Sequence, residues 1–129
     1  FINNAIYGMT GGQMAPTTLI GQKATTCIEG RTVEQAGKPL HISEMMSTID
    51  GAVFVERVAL NSPAAVRNAK KVIKKALDVQ DARLGFSFVE ILSTCPTNWG
   101  KTPIEAMQWL QENMVPYYPL GNFKKPEGF

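Results

Sequence analysis

The central part of the chain alternates between two apolar runs and one amphipathic stretch. The first run, Ala52–Leu60, is rich in β-branched residues, and its nearly continuous hydrophobicity is typical of a buried parallel strand. Ser62 and Pro63 then supply an N-cap and a first-turn proline, and apolar residues recur at helical spacing through about Val79. The second run, Gly85–Ser93, follows. Strand, helix and strand at this spacing predict a βαβ unit, and therefore an α/β fold with a parallel sheet and flanking helices.

Caps, turns and apolar patterns predict further elements on both sides of this unit. They are a strand over Phe1–Tyr7, a short strand over Thr25–Ile28 inside a surface loop over Leu19–Pro39, a helix over Ile42–Ile49, a capping-box helix that begins at Thr102 and stops before Pro116, and an extended tail over Tyr117–Phe129. Ligands of parallel sheets bind beyond the carboxyl ends of the strands. We therefore expect the residues after the first strand and those after Ser93 to share one edge.

Composition restricts the class of protein. The 129 residues are 44% apolar and 19% charged, which fits one soluble globular domain. A net charge of +2 is too small to indicate a nucleic-acid or anionic-membrane partner, and no apolar run approaches the roughly 20 residues of a membrane span. Cys27 and Cys95 are isolated in sequence, which predicts a reducing, cytoplasmic location without disulfides. The chain has no initiator methionine or signal peptide, so we predict a fragment of a longer polypeptide.

The stretch Phe1–Thr18 carries the residues best suited to binding chemistry. Its apolar start leads to two asparagines and then to a loop that contains Gly8, Thr10, Gly11 and Gly12. Glycine-rich turns bring backbone N–H groups close to an anion, and amide oxygens at a strand end suit Mg²⁺. These residues predict a strand tip that holds a metal–phosphate group. An ordinary tight loop is the alternative, because glycine turns are common.

The run Asn4–Gln13 (NAIYGMTGGQ), followed by Pro16-Thr17-Thr18, closely resembles the second half of the thiamine diphosphate motif in the β subunits of 2-oxoacid:ferredoxin oxidoreductases. The resemblance implies the C-terminal half of a thiamine diphosphate-binding domain over residues 1–129. It also implies Mg²⁺ ligation by the Asn4 side chain and the Ile6 carbonyl. Diphosphate contacts would come from Thr10 and from the loop glycines Gly8, Gly11 and Gly12. The family's upstream Gly-Asp-Gly segment, which supplies an aspartate to Mg²⁺, is absent from this chain, so we predict weak or no cofactor binding and no activity by these residues alone.

The resemblance further implies an activity. It is coenzyme A-dependent oxidative decarboxylation of a 2-oxoacid, a branched-chain acid or 2-oxoglutarate, with electrons passed to ferredoxin and with an α subunit as partner. Two alternatives remain open. One is a subunit of a non-oxidative thiamine diphosphate-dependent decarboxylase, which is expected to lack a cluster cysteine. The other is a non-catalytic structural or assembly module.

Cys95 follows the second central strand and has two interpretations. In many members of the resembled family a cysteine at this position is the fourth ligand of a 4Fe–4S cluster. The simpler interpretation of Cys95 is a semi-exposed thiol that packs in a loop. Cys27 has no match to the family's ligands, and we interpret it as structural. The later Gly100-Lys101-Thr102 is not a phosphate loop, because the required first glycine is replaced by Cys95.

The remaining polar residues give no catalytic motif. His41, the single histidine, has no partner at a spacing that predicts a dyad, and the glutamates are scattered along the chain. Trp99 and Trp109 are predicted to pack rather than to stack on a ligand. The long helix has a basic face, which is either a solvated surface or a docking site for an acidic ferredoxin.

Overall fold

A computed structural model describes all residues, 1–129, of the chain. The elements are β1 (Ile2–Asn3), α1 (Val33–Ala36), α2 (Ile42–Ser47), β2 (Ala52–Ala59), α3 (Pro63–Asp81), β3 (Phe86–Leu92), α4 (Pro96–Trp99), α5 (Pro103–Trp109), a π-helical segment (Leu110–Met114), α6 (Val115–Tyr117) and β4 (Gly121–Lys124). None of the helices combines the length and the apolar character that a bilayer crossing requires.

The four strands form one sheet in the order β1-β3-β2-β4. β3 pairs in parallel with both β1 and β2, whereas β4 pairs antiparallel to β2. The predicted α/β fold with a parallel sheet and flanking helices is therefore confirmed, with one antiparallel strand added at an edge. That strand lies in the predicted extended tail, where it uses the free backbone edge of β2.

The helix between the two central strands packs one face on the sheet. Ser62 caps it, because the Ser62 hydroxyl accepts a hydrogen bond from the Ala65 amide at 3.1 Å. Its buried residues form one apolar cluster with two residues of β2. The cluster comprises Phe54, Val58, Ala69, Val72, Ala76 and Val79. Burial of this apolar face holds the β2-α3-β3 unit together.

A second apolar cluster lies at the carboxyl ends of the strands. Ala59 and Leu92 are the last residues of β2 and β3, and both are buried here. The cluster also contains Ala5, Leu19, Leu110, Met114 and Tyr118, with Trp99 and Trp109 packed against it. It joins the C-terminal helices to the segment that follows β1. The cluster thus supports the edge at which ligands of parallel sheets bind.

Two predicted strands are wrong or too long. The strand predicted over Phe1–Tyr7 contains only Ile2–Asn3, because Ala5 takes a positive φ of 56° that turns the chain away from the sheet. The strand predicted over Thr25–Ile28 is a turn, in which Ala24 and Cys27 exchange two backbone hydrogen bonds. β-Propensity gave the wrong result at both places: contacts with Asn3 and the distant Thr18 hold the turn at Ala5, and local backbone hydrogen bonds hold the turn at Ala24–Cys27.

The C-terminal helical region continues through the proline that was predicted to follow its end. The Val115 amide bonds to the Leu110 carbonyl, five residues back, so the backbone widens into a π-helical turn. Pro116 follows directly, within the first two positions of α6, where a missing N–H is tolerated. The wide turn thus lets the chain restart a helix where an α-helix would have ended.

Candidate functional site

The glycine loop begins one turn beyond β1 and is closed by backbone hydrogen bonds. The Tyr7 amide donates to the Gln13 carbonyl at 2.9 Å, and the Gly12 amide donates to the Tyr7 carbonyl at 2.8 Å. Gly11 and Gly12 have φ values of 115° and 81°, a region that favours glycine. The sequence Gly-Gly is therefore required by the shape of this loop.

The glycine loop packs against the residues that follow β3. A Cβ atom at Gly8 would lie 3.0 Å from Cys95 Sγ, and one at Gly12 would lie 3.1 Å from side-chain atoms of Asn98. Asn98 Nδ2 also donates to the Gly8 carbonyl at 2.8 Å. The predicted meeting of the two candidate sites at one sheet edge is therefore confirmed. Asn98 was missed by the sequence reasoning, since no local pattern marks an asparagine that contacts a loop 90 residues away.

The proposed Mg²⁺ ligands lie on either side of the buried Ala5. Asn4 Nδ2 donates to the Thr94 carbonyl at 3.2 Å, which leaves Asn4 Oδ1 without a hydrogen bond from the chain. The Ile6 carbonyl also accepts no hydrogen bond, although its side chain is buried. A largely apolar cavity of about 190 Å³ adjoins both residues. Two neutral oxygen atoms beside a cavity suit a hard cation such as Mg²⁺.

The loop also offers backbone donors to an anion. The N–H groups of Gly8, Met9 and Thr10 donate to no other atom of the chain. The Thr10 hydroxyl is bonded to Gln13 Oε1 at 2.7 Å, and Gln13 Nε2 returns a bond to the Thr10 carbonyl at 2.8 Å. The free backbone amides, rather than the threonine hydroxyl, are thus available to a phosphate. These donors follow the two free oxygen atoms within a few residues of the chain.

The chain holds no cluster of three or more histidine, cysteine, aspartate or glutamate side chains that could bind a metal. The groups that it offers to a metal ion near the glycine loop are the free oxygens of Asn4 and Ile6. Mg²⁺ requires close to octahedral oxygen coordination, so further ligands would come from outside these residues. Cys95 and Cys27 are both free thiols, and each is half-buried.

The sequence reasoning missed a buried polar network that connects through Asn3 to the turn at Ala5. Arg57, with a fully buried side chain, donates from Nε to Glu90 Oε2 at 2.8 Å and from its terminal nitrogens to Glu44 and to the Pro119 carbonyl. Ser43 donates to the same Glu90 oxygen. Arg57 and Glu90 are register partners on β2 and β3, so opposite charges inside two apolar strands were the available signal.

The charges of this network shift the pKa of Glu44. Partial burial raises the pKa of Glu44, but the hydrogen bonds and positive charge of Arg57 outweigh that effect and leave it below the ordinary value of 4.5. Because the pKa is lowered in the folded state, the stabilisation from Glu44 is present above the unfolded pKa and is lost as the pH falls through the folded one. Glu44 thus links the network to acid stability.

Glu44→Gln should therefore destabilise the chain less at acid pH than at neutral pH. The free energy of unfolding of wild type and variant would be measured by urea titration between about pH 6 and about pH 3. The difference between them should shrink as the pH falls, since Glu44 becomes protonated. Glu34→Gln, at an exposed position, serves as the control and should show no such trend. A constant difference across the range would contradict the assignment.

Arg31 organises the long loop that follows the glycine loop. Its buried guanidinium donates to six backbone carbonyls at 2.9 to 3.2 Å and to no carboxylate. The acceptors are Ala15, Pro16, Thr18, Ala36, Gly37 and Lys38. The Arg31 side chain thereby joins residues 15–18, which follow the glycine loop, to residues 36–38 at the far end of the long loop.

The two tryptophans pack as predicted, with ring centroids 4.6 Å apart. Trp99 Nε1 also donates to the Asn4 carbonyl at 3.1 Å, so this packing holds the backbone of the candidate metal site. His41 stacks on Tyr117 with ring centroids 4.7 Å apart, and its Nδ1 lies 3.4 Å from Glu44 Oε1. The basic side chains of α3 lie on its exposed face, which leaves its two interpretations open.

The fold and the site define an α/β domain with a glycine loop and free oxygen and amide groups at the carboxyl edge of its sheet. No protein-family model and no solved structure matches the chain. Curated relatives do. The chain is 48% identical over 124 residues to ketoisovalerate oxidoreductase subunit VorA of Methanothermobacter marburgensis, covering 96% of this chain and 26% of that protein.

Two further relatives extend this similarity. The 2-oxoglutarate synthase subunit KorB of Methanocaldococcus jannaschii is 38% identical over 120 residues, which cover 88% of this chain and 40% of KorB. The 2-oxoacid:ferredoxin oxidoreductase subunit beta of Saccharolobus solfataricus is 30% identical over 95 residues, 74% of this chain and 27% of that subunit. The chain thus spans about a quarter to two fifths of the relatives it matches. By sequence it belongs to the 2-oxoacid:ferredoxin oxidoreductase family.

Proposed function

We propose that this segment supplies one half of a thiamine diphosphate–Mg²⁺ site in the thiamine-binding, β-type subunit of a 2-oxoacid:ferredoxin oxidoreductase. The observation that carries the proposal is the pair of free oxygens, Asn4 Oδ1 and the Ile6 carbonyl, beside a loop with free backbone amides. When bound, thiamine diphosphate supplies the electron sink for decarboxylation of a 2-oxoacid. The chain's own residues bind and orient it.

Each group of the site has a distinct role in this proposal. Asn4 Oδ1 and the Ile6 carbonyl would be oxygen ligands of Mg²⁺, which would neutralise charge on the diphosphate. The amides of Gly8, Met9 and Thr10 bind diphosphate oxygens, as Gly11 and Gly12 shape the loop. The largely apolar cavity of about 190 Å³ beside Asn4 and Ile6 is smaller than a typical ligand pocket of about 300–1,000 Å³, so it would hold only part of the cofactor. An aspartate from another segment completes the metal site.

The names of the relatives support a substrate class for this proposal. The two VorA proteins, at 48% and 47% identity, are named for ketoisovalerate, and the KorB proteins, at 38%, are named for 2-oxoglutarate. The higher identity favours a branched-chain 2-oxoacid as substrate, with coenzyme A as acyl acceptor, an α subunit as partner and ferredoxin as electron acceptor. This assembly acts in the cytoplasm. Initial rates with the two 2-oxoacids in the purified enzyme would test the preference.

The test of the cofactor site is a calorimetric titration of the natural full-length protein with thiamine diphosphate and Mg²⁺. Asn4→Ala removes one ligand oxygen and should weaken Mg²⁺-dependent binding by at least about tenfold. Asn68→Ala, an exposed position on α3, is the matched control and should bind as wild type does. Equal binding by Asn4→Ala and the control would favour a structural or assembly module instead.

The cluster role of Cys95 is a separate proposal. Its thiol is half-buried, accepts a weak hydrogen bond from Asn98 at 3.4 Å, and lies against the glycine loop. A cluster held by Cys95 would lie next to the proposed cofactor site, as electron transfer to ferredoxin requires. Iron–sulfur absorbance of the anaerobically purified full-length protein tests it. Absence of iron would favour the non-oxidative decarboxylase and a packing role for Cys95.

A further inference from the structure

The backbone that presents the two metal ligands is held in an unfavourable conformation. Ala5, between Asn4 and Ile6, is fully buried and has a φ of 56°, which L-residues other than asparagine and aspartate rarely adopt. Such a conformation persists only where surrounding contacts determine it. The position of the Asn4 and Ile6 oxygens therefore depends on whatever fixes the two peptide groups of Ala5.

Two side chains fix those peptide groups. Asn3 Oδ1 accepts a hydrogen bond from the Ala5 amide at 2.9 Å, and the Thr18 hydroxyl donates to the Ala5 carbonyl at 2.5 Å. Asn3 is 1% exposed and Thr18 is fully buried, so water does not compete for these bonds. The side-chain oxygen of Asn3 is thus hydrogen-bonded directly to Ala5, the residue between the two proposed ligands.

The orientation of Asn3 is set in turn by Glu90. Asn3 Nδ2 donates to Glu90 Oε1 at 2.8 Å, whereas Glu90 Oε2 accepts from Arg57 and Ser43. A carboxylate only accepts hydrogen bonds and a backbone amide only donates them. A side chain between Glu90 and the Ala5 amide must therefore offer a donor at one end and an acceptor at the other, which Asn3 does.

We propose that Asn3 and Glu90 are positioning residues of the Mg²⁺ site: they do not ligate the metal but hold the turn that aims Asn4 and Ile6. The buried ion pair of Glu90 with Arg57 fixes the Glu90–Asn3–Ala5 hydrogen bonds to strands β2 and β3 of the sheet. The inference rests on the proposed cofactor site and adds to it two residues outside the ligand set.

The hydrogen-bond directions make the proposal testable by exchange of the two side chains. Asn3→Asp places a carboxylate against the Glu90 carboxylate. In Glu90→Gln, the side-chain amide can take two orientations. In one, its NH₂ group faces the donor Asn3 Nδ2, and in the other it faces the donor Arg57, so a hydrogen bond is lost in both. In the double variant the new glutamine donates to the new aspartate and its carbonyl still accepts from Arg57, while the new aspartate accepts from the Ala5 amide. Only the double variant restores a complete set of bonds with nearly the same volumes.

The experiment measures the Mg²⁺ concentration for half-maximal thiamine diphosphate binding by the natural full-length protein, with the unfolding temperature of each metal-free variant in parallel. Each single variant should need about 10- to 100-fold more Mg²⁺, a loss typical of groups that orient metal ligands. The double variant should return to within about twofold of wild type. Asn68→Asp makes the same charge change at an exposed position of α3 and should have no effect.

The possible results separate the two proposals. Lowered unfolding temperatures with an unchanged Mg²⁺ requirement would show a purely structural role and overturn the inference. A double variant that needs as much Mg²⁺ as the single variants would also overturn the inference. If a single variant does not fold, the Mg²⁺ requirement of the double variant is compared with that of wild type, and a requirement more than about tenfold higher overturns the inference. If wild type itself shows no Mg²⁺-dependent binding, the proposed function fails, and the inference fails with it.

Discussion

Arg57→Met is expected to lower the free energy of unfolding of the chain by about 3–5 kcal/mol, the cost of leaving a buried carboxylate without its cation. The Arg57 and Glu90 side chains are both fully buried, and the guanidinium carries bonds to Glu90, Glu44 and the Pro119 carbonyl. Methionine fills much of the same volume but donates no hydrogen bond. The measurement is urea unfolding followed by circular dichroism.

Two further variants distinguish loss of the ion pair from loss of packing. Arg67→Met changes the same residue type on the exposed face of α3 and should stay within about 0.5 kcal/mol of wild type. Arg57→Met combined with Glu90→Met removes both charges and should recover part of the loss, since an apolar pair of similar volume is often tolerated. A double variant less stable than Arg57→Met would contradict the importance of the unpaired charge.

Arg31→Met is expected to destabilise the chain by at least about 3 kcal/mol, because several carbonyls lose a charged donor in a buried setting. The six acceptors come from two segments, residues 15–18 and 36–38, so their release should loosen the whole loop between them. Limited proteolysis should then cut within Leu19–Pro39 before it cuts elsewhere. Unfolding by urea gives the magnitude.

The shape of the guanidinium, and not only its charge, should matter at this position. Arg31→Lys keeps the charge but has a single nitrogen, which cannot reach acceptors on both sides, so it should recover little of the stability. Lys23→Met removes a charge from an exposed position of the same loop and should leave both stability and cleavage unchanged. Full recovery in Arg31→Lys would mean that the charge alone suffices.

The sequence predicted the elements whose formation depends on nearby residues. The apolar run Ala52–Leu60, the Ser62 cap and the periodic face of α3 predicted the βαβ unit correctly, with the observed helix extending to Asp81. The predicted end before Pro116 was wrong, since a π-helical turn accommodates the proline. β4 was missed as a strand because it forms only where β2 offers an unpaired edge.

For the candidate site, the motif identified Asn4, Ile6 and the loop glycines, and the shared carboxyl edge of parallel strands correctly predicted that Cys95 lies near the loop. Their roles in binding remain proposals. Glu90 had no visible partner in the sequence, although Arg57 and Asn3 both bond to it in the structure. These partners lie 33 and 87 residues away, so the tertiary structure is needed to establish both contacts.

By itself, the amino-acid sequence determined the hydrophobic periods, the caps and the glycines of the loop, because these depend on backbone preferences and on neighbours within a few residues. Only the tertiary structure decided that β1 ends at Asn3, that Arg57 meets Glu90 and that Arg31 spans the long loop. The physical reason is burial. A polar group inside the protein must find its hydrogen-bond partner wherever the fold brings one, and that partner can come from any part of the chain.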